Sequence, residues 1–372
     1  MLKSSFRIAR IKDIDIRVHI TFALVLIFAA LDWGLWRGLG WTGALYGLAF
    51  TSILFVFVTL HELGHSLVAR YFGGKVRDIT LLPIGGVARL EGELTKPMHE
   101  FWMALAGPMV NVALAIVLGA VTLPLLSWRA LSGLGELRAL LTGLSIEGML
   151  VELIVANVGL AVFNLLPAFP MDGGRVLRSF LATQIDELRA TKIAVRVGQG
   201  IAILLGLVGL FGGGLTLPLI AIFIFMGAQQ EWRGAQMKAA VRHVNAEAAV
   251  MHGGILLAPD DAIGQAVNVL LRTGQQDFAV FENGYLVGIL TRDDLRQGFE
   301  RYGPYVPVRR VMQTDFPVAQ AQDSLLSLQN KMQATGSTVI SVLQGNSFLG
   351  LATREGIKRA MSSAWRVQPR RA

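Results

Sequence analysis

The sequence predicts an α-helical polytopic membrane protein with about six transmembrane helices, followed by a soluble α/β domain made of a tandem repeat. Two observations lead to this prediction. Hydrophobic residues make up 53% of the 372 residues and charged residues only 16%, and long apolar segments fill the first two-thirds of the chain. The last third has a soluble composition and contains one pattern twice. We therefore divide the chain into a membrane domain (1–235), a linker (236–250) and the repeat (251–372).

Apolar segments of membrane-spanning length account for the predicted helices. They cover about 19–36, 43–69, 100–127, 148–170, 197–211 and 215–230. The last two are short and rich in glycine, so they also fit a single helical hairpin. Between the second and third segments, the stretches VRDITLL and GVARLEGEL alternate in polarity, which indicates short strands or a hairpin.

Basic residues predict the orientation of the chain in the membrane. Lys and Arg are concentrated in the N-terminal stretch, after the second apolar segment and after the fourth, whereas the opposite connections contain only Arg37, Arg129 and Arg138. By the positive-inside rule, the protein is a multi-pass protein of the cell membrane whose N- and C-termini and repeat are cytosolic. Nucleic-acid binding is not expected, because the net charge of +8 includes no basic tract interleaved with aromatic residues.

The segment His61-Glu62-Leu63-Gly64-His65 ends the second apolar segment. Residues four apart share one face of a helix, so His61 and His65 are placed to bind one Zn²⁺ ion, with Glu62 beside them as a general base toward water. Ionisable residues in membrane segments are rare and usually functional. The chain contains no cysteine, so any further ligand is a histidine or a carboxylate.

Asp172 is the better candidate for a third ligand than the remaining histidines. It lies in NLLPAFPMDGGR (164–175), which ends an apolar segment on the predicted cytosolic side. Pro167 and Pro170 break the helix there, and the two glycines after Asp172 let the backbone approach closely. A carboxylate at a broken helix end can point at a metal within a bundle. We expect one zinc ion per chain, with the fourth coordination position left for water.

Three motifs in this order, HELGH (61–65), AGPMVN (106–111) and NLLPAFPMDGGR (164–175), together resemble the site-2 protease family of intramembrane zinc metalloproteases. The resemblance covers about residues 1–235. It implies a membrane-protein substrate in the lipid bilayer, such as a tethered transcription regulator, an anti-sigma factor or a signal-peptide remnant.

The same resemblance implies roles for individual residues. The implied zinc ligands are His61, His65 and Asp172, and the implied catalytic glutamate is Glu62. Asn164 and Asn111 are implied to position the substrate strand or to polarise the scissile carbonyl. For Asn111, a hydrogen bond that packs two helices together is an equal alternative.

A tandem repeat follows the membrane domain. GILTRDDL (288–295) matches GLATREGI (350–357) at an offset of 62 residues, and each follows a helical pattern and a strand–turn–strand pattern. A constant period of this kind indicates two copies of one unit, at about 251–300 and 311–360.

This repeat resembles a tandem pair of CBS domains, which often bind adenine nucleotides. In the first copy Gly288, Thr291 and Asp294 match the run G-x-x-T-x-x-D, in which hydroxyl and carboxylate contact phosphate and ribose. The second copy retains Thr353 but has Gly356 in place of the acid. The resemblance therefore implies at most one complete site for ATP or AMP. The alternative is a pair that serves only for docking or for homodimer formation.

These observations predict an intramembrane zinc metalloprotease that cuts membrane proteins and is regulated by nucleotide at its CBS pair. The alternative is a CBS-regulated transporter or channel in which the His/Glu cluster is an ion site. That alternative explains the apolar segments and the soluble tail. It does not explain a glutamate within a HExxH motif.

Overall fold

The computed structural model describes residues 4–83, 85–91, 96–124, 144–212, 214–242, 244–251 and 253–367. The chain divides into two units, Met1–Arg233 and Gly234–Ala372. The first unit is mainly helical, and the second is an α/β domain.

In the part of the chain that the structure describes, seven helices follow one another through the first unit and into the start of the second. They are α1 (Phe22–Leu31), α2 (Gly40–Tyr71), α3 (Pro97–Thr122), α4 (Ile146–Asn164), α5 (Asp172–Leu181), α6 (Glu187–Phe211) and α7 (Thr216–Arg242). One turn of π-helix, Asp32–Trp36, extends α1. Among the described residues, α2, α3, α4 and α6 are long and apolar enough to cross a membrane. The predicted class, a helical membrane domain followed by an α/β domain, is confirmed.

The predicted count of about six spans is not confirmed by these four helices. The first apolar segment forms a helix only over Phe22–Trp36, because the preceding residues are in a β-strand. The helix α7 begins with an apolar run but continues into Gln229, Gln230 and Glu231, so its mean hydropathy is too low for a span. The two last segments do form a hairpin, since Gly209 of α6 lies against Pro218 of α7.

A four-stranded sheet lies against the end of α2. Its strands are β1 (Ser5–Ile11), β2 (Ile14–His19), β3 (Lys75–Leu82) and β4 (Gly85–Glu91), in that spatial order. The pair β2–β3 is parallel and the other two pairs are antiparallel. Ile14 and Ile79 of the sheet share a buried cluster with Leu63 and Ala69 of α2. The sheet is thereby attached to the helical turn that carries HELGH.

The N-terminal hairpin of this sheet was not predicted from the sequence. In the sequence this stretch is notable only for its basic side chains, and the two residues of its turn, Lys12 and Asp13, are neither glycine nor asparagine. Both have positive φ, 45° and 62°, as a tight hairpin turn requires. Asn-Gly or Asp-Gly, the usual sequence signal for such a turn, is therefore missing here.

The second unit contains two copies of one α/β arrangement. The first copy has α8 (Ile263–Thr273), β6 (Phe278–Glu282), β7 (Tyr285–Leu290) and α9 (Arg292–Tyr302). The second has β8 (Val318–Gln320), α10 (Leu325–Thr335), β9 (Val339–Gln344), β10 (Ser347–Thr353) and α11 (Arg354–Val367). A two-residue strand, β5 (Val250–Met251), precedes both copies.

Each copy is completed by the segment that precedes the other one. Met251 of β5 pairs with β10 of the second copy, and Gln313, which precedes the second copy, pairs with Ile289 of the first. The copies are therefore interlocked. Val241 and Ala246, within the range assigned to a linker from the sequence (236–250), are buried in the core of the second copy.

Candidate metal centre

Three side chains from two separate helices converge at one point of the first unit. The Nε2 atoms of His61 and His65 are 3.1 Å apart, and Asp172 Oδ2 lies 3.3 Å from the former and 3.2 Å from the latter. Ligands at about 2.1 Å from a tetrahedral zinc ion are about 3.4 Å from each other. The three atoms match this spacing, and two imidazoles with one carboxylate form a donor set that suits zinc.

The helix α2 places both histidines on one face, as the spacing of four predicts. Asp172 is the first residue of α5, and a short loop connects it to the end of α4. Burial opposes ionisation of this carboxyl, but the two imidazoles outweigh that effect and hold the pKa of Asp172 below its usual range. A deprotonated carboxylate is the form that binds a metal.

Two glycines allow α5 to begin so close to the preceding loop. A Cβ at Gly173 would lie 2.3 Å from the carbonyl oxygens of Leu165 and Leu166, and one at Gly174 would lie 2.7 Å from the backbone of Ala168. Any larger residue would push the start of α5, and Asp172 with it, away from the histidines. This is the close backbone approach that the sequence predicts for the glycine pair.

Both imidazole rings are held by hydrogen bonds from their other nitrogen. His61 Nδ1 lies 2.9 Å from Asn111 Oδ1, and His65 Nδ1 lies 2.6 Å from the backbone oxygen of Met103. Because both partners are acceptor oxygens, each Nδ1 donates the proton and each Nε2 presents its lone pair to the point where the three side chains converge. Asn111 is fully buried on α3 and contacts a metal-site histidine. This contact favours a role that the sequence did not suggest, orientation of His61, and the substrate-positioning role implied for Asn111 stays a prediction.

A glycine on α3 makes room for the two histidines. A Cβ at Gly107 would lie 2.2 Å from His65 Nε2 and 2.7 Å from His61 Nε2. Sequence reasoning missed this residue, and also the carbonyl of Met103. The signal that could have identified Gly107 is its place in the AGPMVN motif, four residues before Asn111.

Glu62 lies between the point where the three side chains converge and the sheet. Its side chain passes so close to β4 that a Cβ at Gly86 would be 2.4 Å from Glu62 Cγ and 3.2 Å from its Oε1. Within the described chain, β4 pairs only with β3, so its other edge is open. The glutamate is therefore adjacent to both the candidate metal ligands and an unpaired strand edge.

Asn164 is the last residue of α4 and is half-buried. It lies eight residues before Asp172, at the start of the loop that leads to that ligand. The positioning role implied for Asn164 stays a prediction.

A second candidate site is a cavity of about 950 Å³ in the second unit. Its basic lining residues are Arg354, Lys358 and Arg359 of α11. The segment around Gly254 and the carboxylate of Asp277 line it from the first copy, and burial raises the pKa of Asp277. Of the four residues that the resemblance implies for nucleotide binding, only Thr353 lines this cavity.

The other three residues implied for nucleotide binding make contacts with neighbouring residues of the second unit. Thr291 and Asp294 form the capping box of α9, and Gln313 Nε2 donates to Asp294 Oδ2 at 2.8 Å. A Cβ at Gly288 would lie 2.6 Å from Met312 Sδ. The motif that looks complete in sequence is thus engaged in local packing and helix capping.

Each of the two units matches a known protein family. The model of peptidase family M50 matches residues 49–205, which include all three converging side chains, and the CBS domain model matches residues 248–300. The zinc metalloprotease MJ0392 of Methanocaldococcus jannaschii is 32% identical over 362 residues, which cover 96% of this chain and 96% of that protein. A protein of Synechocystis sp. is 29% identical over 98% of this chain and 97% of its own length.

Among solved structures, the site-2 protease from Methanocaldococcus jannaschii is 36% identical, covering 62% of this chain and 95% of that one, with a TM-score of 0.45. The match to peptidase family M50 and the sequence identity to MJ0392 do not support the alternative of a transporter or channel.

Proposed function

The chain belongs to peptidase family M50 and is a zinc metalloprotease with a C-terminal CBS domain, and we propose that His61, His65 and Asp172 hold its zinc ion. The observation that carries this assignment is that one ligand atom from each residue lies within 4.8 Å of the others. The fully buried amide of Asn111 and the absence of a side chain at Gly107 support it, because both features serve the histidines.

In the proposed reaction, Glu62 moves the proton. When bound, zinc would act as a Lewis acid, which lowers the pKa of the attacking water toward about 7 and polarises the scissile carbonyl. Glu62 is next to the ligands and has a carboxylate, so it takes the proton from the attacking water and passes it to the leaving amine. Asn111 and the Met103 carbonyl keep both histidines in the tautomer that leaves Nε2 unprotonated.

We propose that the open edge of β4 receives the substrate. Amides of a substrate helix are hydrogen-bonded within the helix, so that segment has to unwind before it can be cut. An extended segment can then pair with β4 as an added strand. Since Gly86 of β4 lies against Glu62, a strand paired there brings its peptide bonds close to the general base. Asn164 is proposed to hold the substrate strand or its scissile carbonyl.

The substrates proposed are membrane proteins that are cut in or near a transmembrane segment. The proposed classes of substrate are tethered regulators, anti-sigma factors and signal-peptide remnants. Four apolar helices in the described residues support a site at the bilayer.

From the basic stretches we propose that the N-terminus, the C-terminus and the CBS pair lie in the cytosol. The absence of cysteine makes a direct test simple. Single cysteines at Asp13, in the β1–β2 turn, and at the exposed Tyr305 should react in sealed vesicles only with a maleimide added on the cytosolic side. Reaction from the opposite side would overturn the orientation.

For the CBS pair, we propose that ATP or AMP binds in the cavity lined by Arg354 and Lys358. Their positive charges suit phosphate, whereas Asp294 in the first copy is already paired with Gln313. Titration with a fluorescent AMP analogue tests this. Arg354→Ala should weaken binding at least tenfold and Asp294→Ala should not; the reverse order would overturn the assignment. Homodimer formation through the pair stays a prediction.

Glu62→Gln tests the proposed reaction. The amide keeps the size of the side chain but cannot accept the proton, so cleavage of a membrane-protein substrate should fall by at least about a thousandfold. Zinc content should stay at one ion per chain, because Glu62 is not a proposed ligand. Unchanged cleavage would contradict the assignment of the base, and lost zinc would contradict the ligand set.

A further inference from the structure

A shielded ion cluster joins the helix that begins with Asp172 to two other helices. Arg178, in the last turn of α5, donates from one terminal nitrogen to Glu100 at the start of α3, and from the other to Glu231 of α7 at 3.0 Å. The side chains of Arg178 and Glu100 are only 16% and 20% exposed, and that of Glu231 is 35% exposed. Separating shielded charges of this kind leaves an uncompensated charge away from water, so the pairing opposes movement of the three helices apart.

The cluster connects the elements that build the metal centre. Asp172 is the first residue of the ten-residue α5, and Arg178 is near its other end. Glu100 precedes Met103 by one turn of α3, and the Met103 carbonyl holds His65. The glycines after Asp172 fix the start of α5, and the ion cluster fixes its end. A helix of three turns held at both ends cannot tilt without breaking one set of contacts.

Arginine suits this position better than lysine does. Its planar guanidinium can donate to two carboxylates in different directions at once, whereas a lysine ammonium is a point charge on a flexible stem. The guanidinium also lies 5.8 Å from the ring centre of Phe169, which is buried in the loop just before Asp172. Burial lowers the pKa of Arg178 but the two carboxylates raise it, and the net direction is upward, so the group stays charged.

We infer that Arg178 is a positioning residue for the proposed zinc ligand Asp172. By joining α5 to the start of α3 and to α7, it holds the carboxylate oxygen at the distance from the two histidines that one metal ion requires. The inference rests on the ligand assignment of the proposed function. It adds a residue outside the three motifs to the metal centre.

The experiment measures the metal centre directly, on the full-length chain in lipid nanodiscs. The variants are Arg178→Met, Arg178→Lys and the matched control Arg189→Met, an exposed arginine on the next helix. Two readouts are the rate of zinc loss to excess chelator and the visible absorption of the Co²⁺-substituted protein, which reports the ligand geometry. Loss of a residue that hydrogen-bonds a metal ligand typically costs about 10–100-fold in affinity, and the lower end of that range sets the scale expected for a residue that acts through the helix.

Arg178→Met should therefore lose zinc at least tenfold faster than the wild type and shift the Co²⁺ bands. The zinc-loss rate of Arg178→Lys should lie between those of Arg178→Met and the wild type. Arg189→Met should show the wild-type rate and the wild-type bands. Wild-type zinc loss and wild-type Co²⁺ bands in Arg178→Met would overturn the inference. If that variant does not fold, Glu231→Met removes one arm of the cluster and leaves Arg178 paired with Glu100. Faster zinc loss in Glu231→Met supports the inference, and an unchanged rate overturns it.

Asp172→Asn, measured in parallel, separates this inference from the ligand assignment. If Asp172→Asn keeps the wild-type Co²⁺ bands and zinc affinity, the assignment itself is wrong. If Asp172→Asn loses zinc while Arg178→Met does not, only the positioning role fails.

Discussion

Replacement of Gly107 by alanine should destroy the metal centre while leaving the membrane fold in place. The added Cβ would lie 2.2 Å and 2.5 Å from Nε2 and Cε1 of His65, and 2.7 Å from Nε2 of His61. Ordinary van der Waals contact begins near 3.4 Å, so His65 or α3 has to move by about 1.2 Å.

A displacement of this size is large compared with the tolerance of a metal site. Metal–ligand distances vary by only about 0.2 Å around their ideal values. Movement of His65 also breaks its hydrogen bond to the Met103 carbonyl, which is 2.6 Å long. We expect zinc affinity to fall by at least about 100-fold and proteolysis with it. The overpacking itself should cost about 1–3 kcal/mol of folding free energy.

The matched control is Gly119→Ala on the same helix, where an added Cβ meets no atom within 4 Å. Alanine in a helix interior is about 0.5–1 kcal/mol more favourable than glycine, so this variant should be at least as stable as the wild type. The assay compares zinc per chain after dialysis against a buffered zinc solution, together with cleavage of a membrane substrate and elution as a single folded species. A folded Gly107→Ala protein with one zinc per chain and wild-type cleavage would refute the reasoning.

Three further changes test other contacts. Asn111→Leu should weaken zinc binding about 10-fold or more, because it removes the acceptor for His61 Nδ1. A zinc titration with a chelator indicator measures the affinity, and an unchanged affinity would favour a packing role for Asn111. Gly86→Ala should displace the Glu62 side chain and lower kcat by at least about tenfold while zinc content stays at one per chain, which kinetics and metal analysis can show together. Asp294→Ala should lower the free energy of unfolding of the second unit by about 1 kcal/mol through loss of the capping box, as urea denaturation would show; no change in midpoint would contradict the cap.

The core of the candidate site could be predicted from the sequence because its signals are local. His61 and His65 share a helix face at a fixed spacing, and Glu62 follows from the same helical turn. Asp172 could be chosen because prolines and glycines show a broken helix end before any contact is known. Chain length, composition and the 62-residue period likewise indicate the two units without knowledge of their packing.

Contacts between distant segments could not be predicted in this way. The N-terminal residues form a hairpin whose turn, Lys12-Asp13, has no glycine, and the parallel pairing of β2 with β3 depends on the intervening helices. In the repeat, the sequence favours Thr291 and Asp294 for nucleotide binding. The fold also joins Asp294 to Gln313, which is contributed by the segment before the other copy, and the role of Asp294 in nucleotide binding stays a prediction.

By itself, the sequence determined that this protein has a helical membrane domain with a HExxH metal motif and a repeated soluble domain. Periodicity and hydropathy act along the chain, so a single segment shows them. Only the tertiary structure shows that Asn111 contacts Nδ1 of His61 and that Gly107, which has no side chain, leaves room for the two histidines. Only the tertiary structure shows that Arg178 joins the helix of Asp172 to α3. These contacts are set by the close packing of helices that are far apart in sequence, and packing at this precision depends on every surrounding side chain at once.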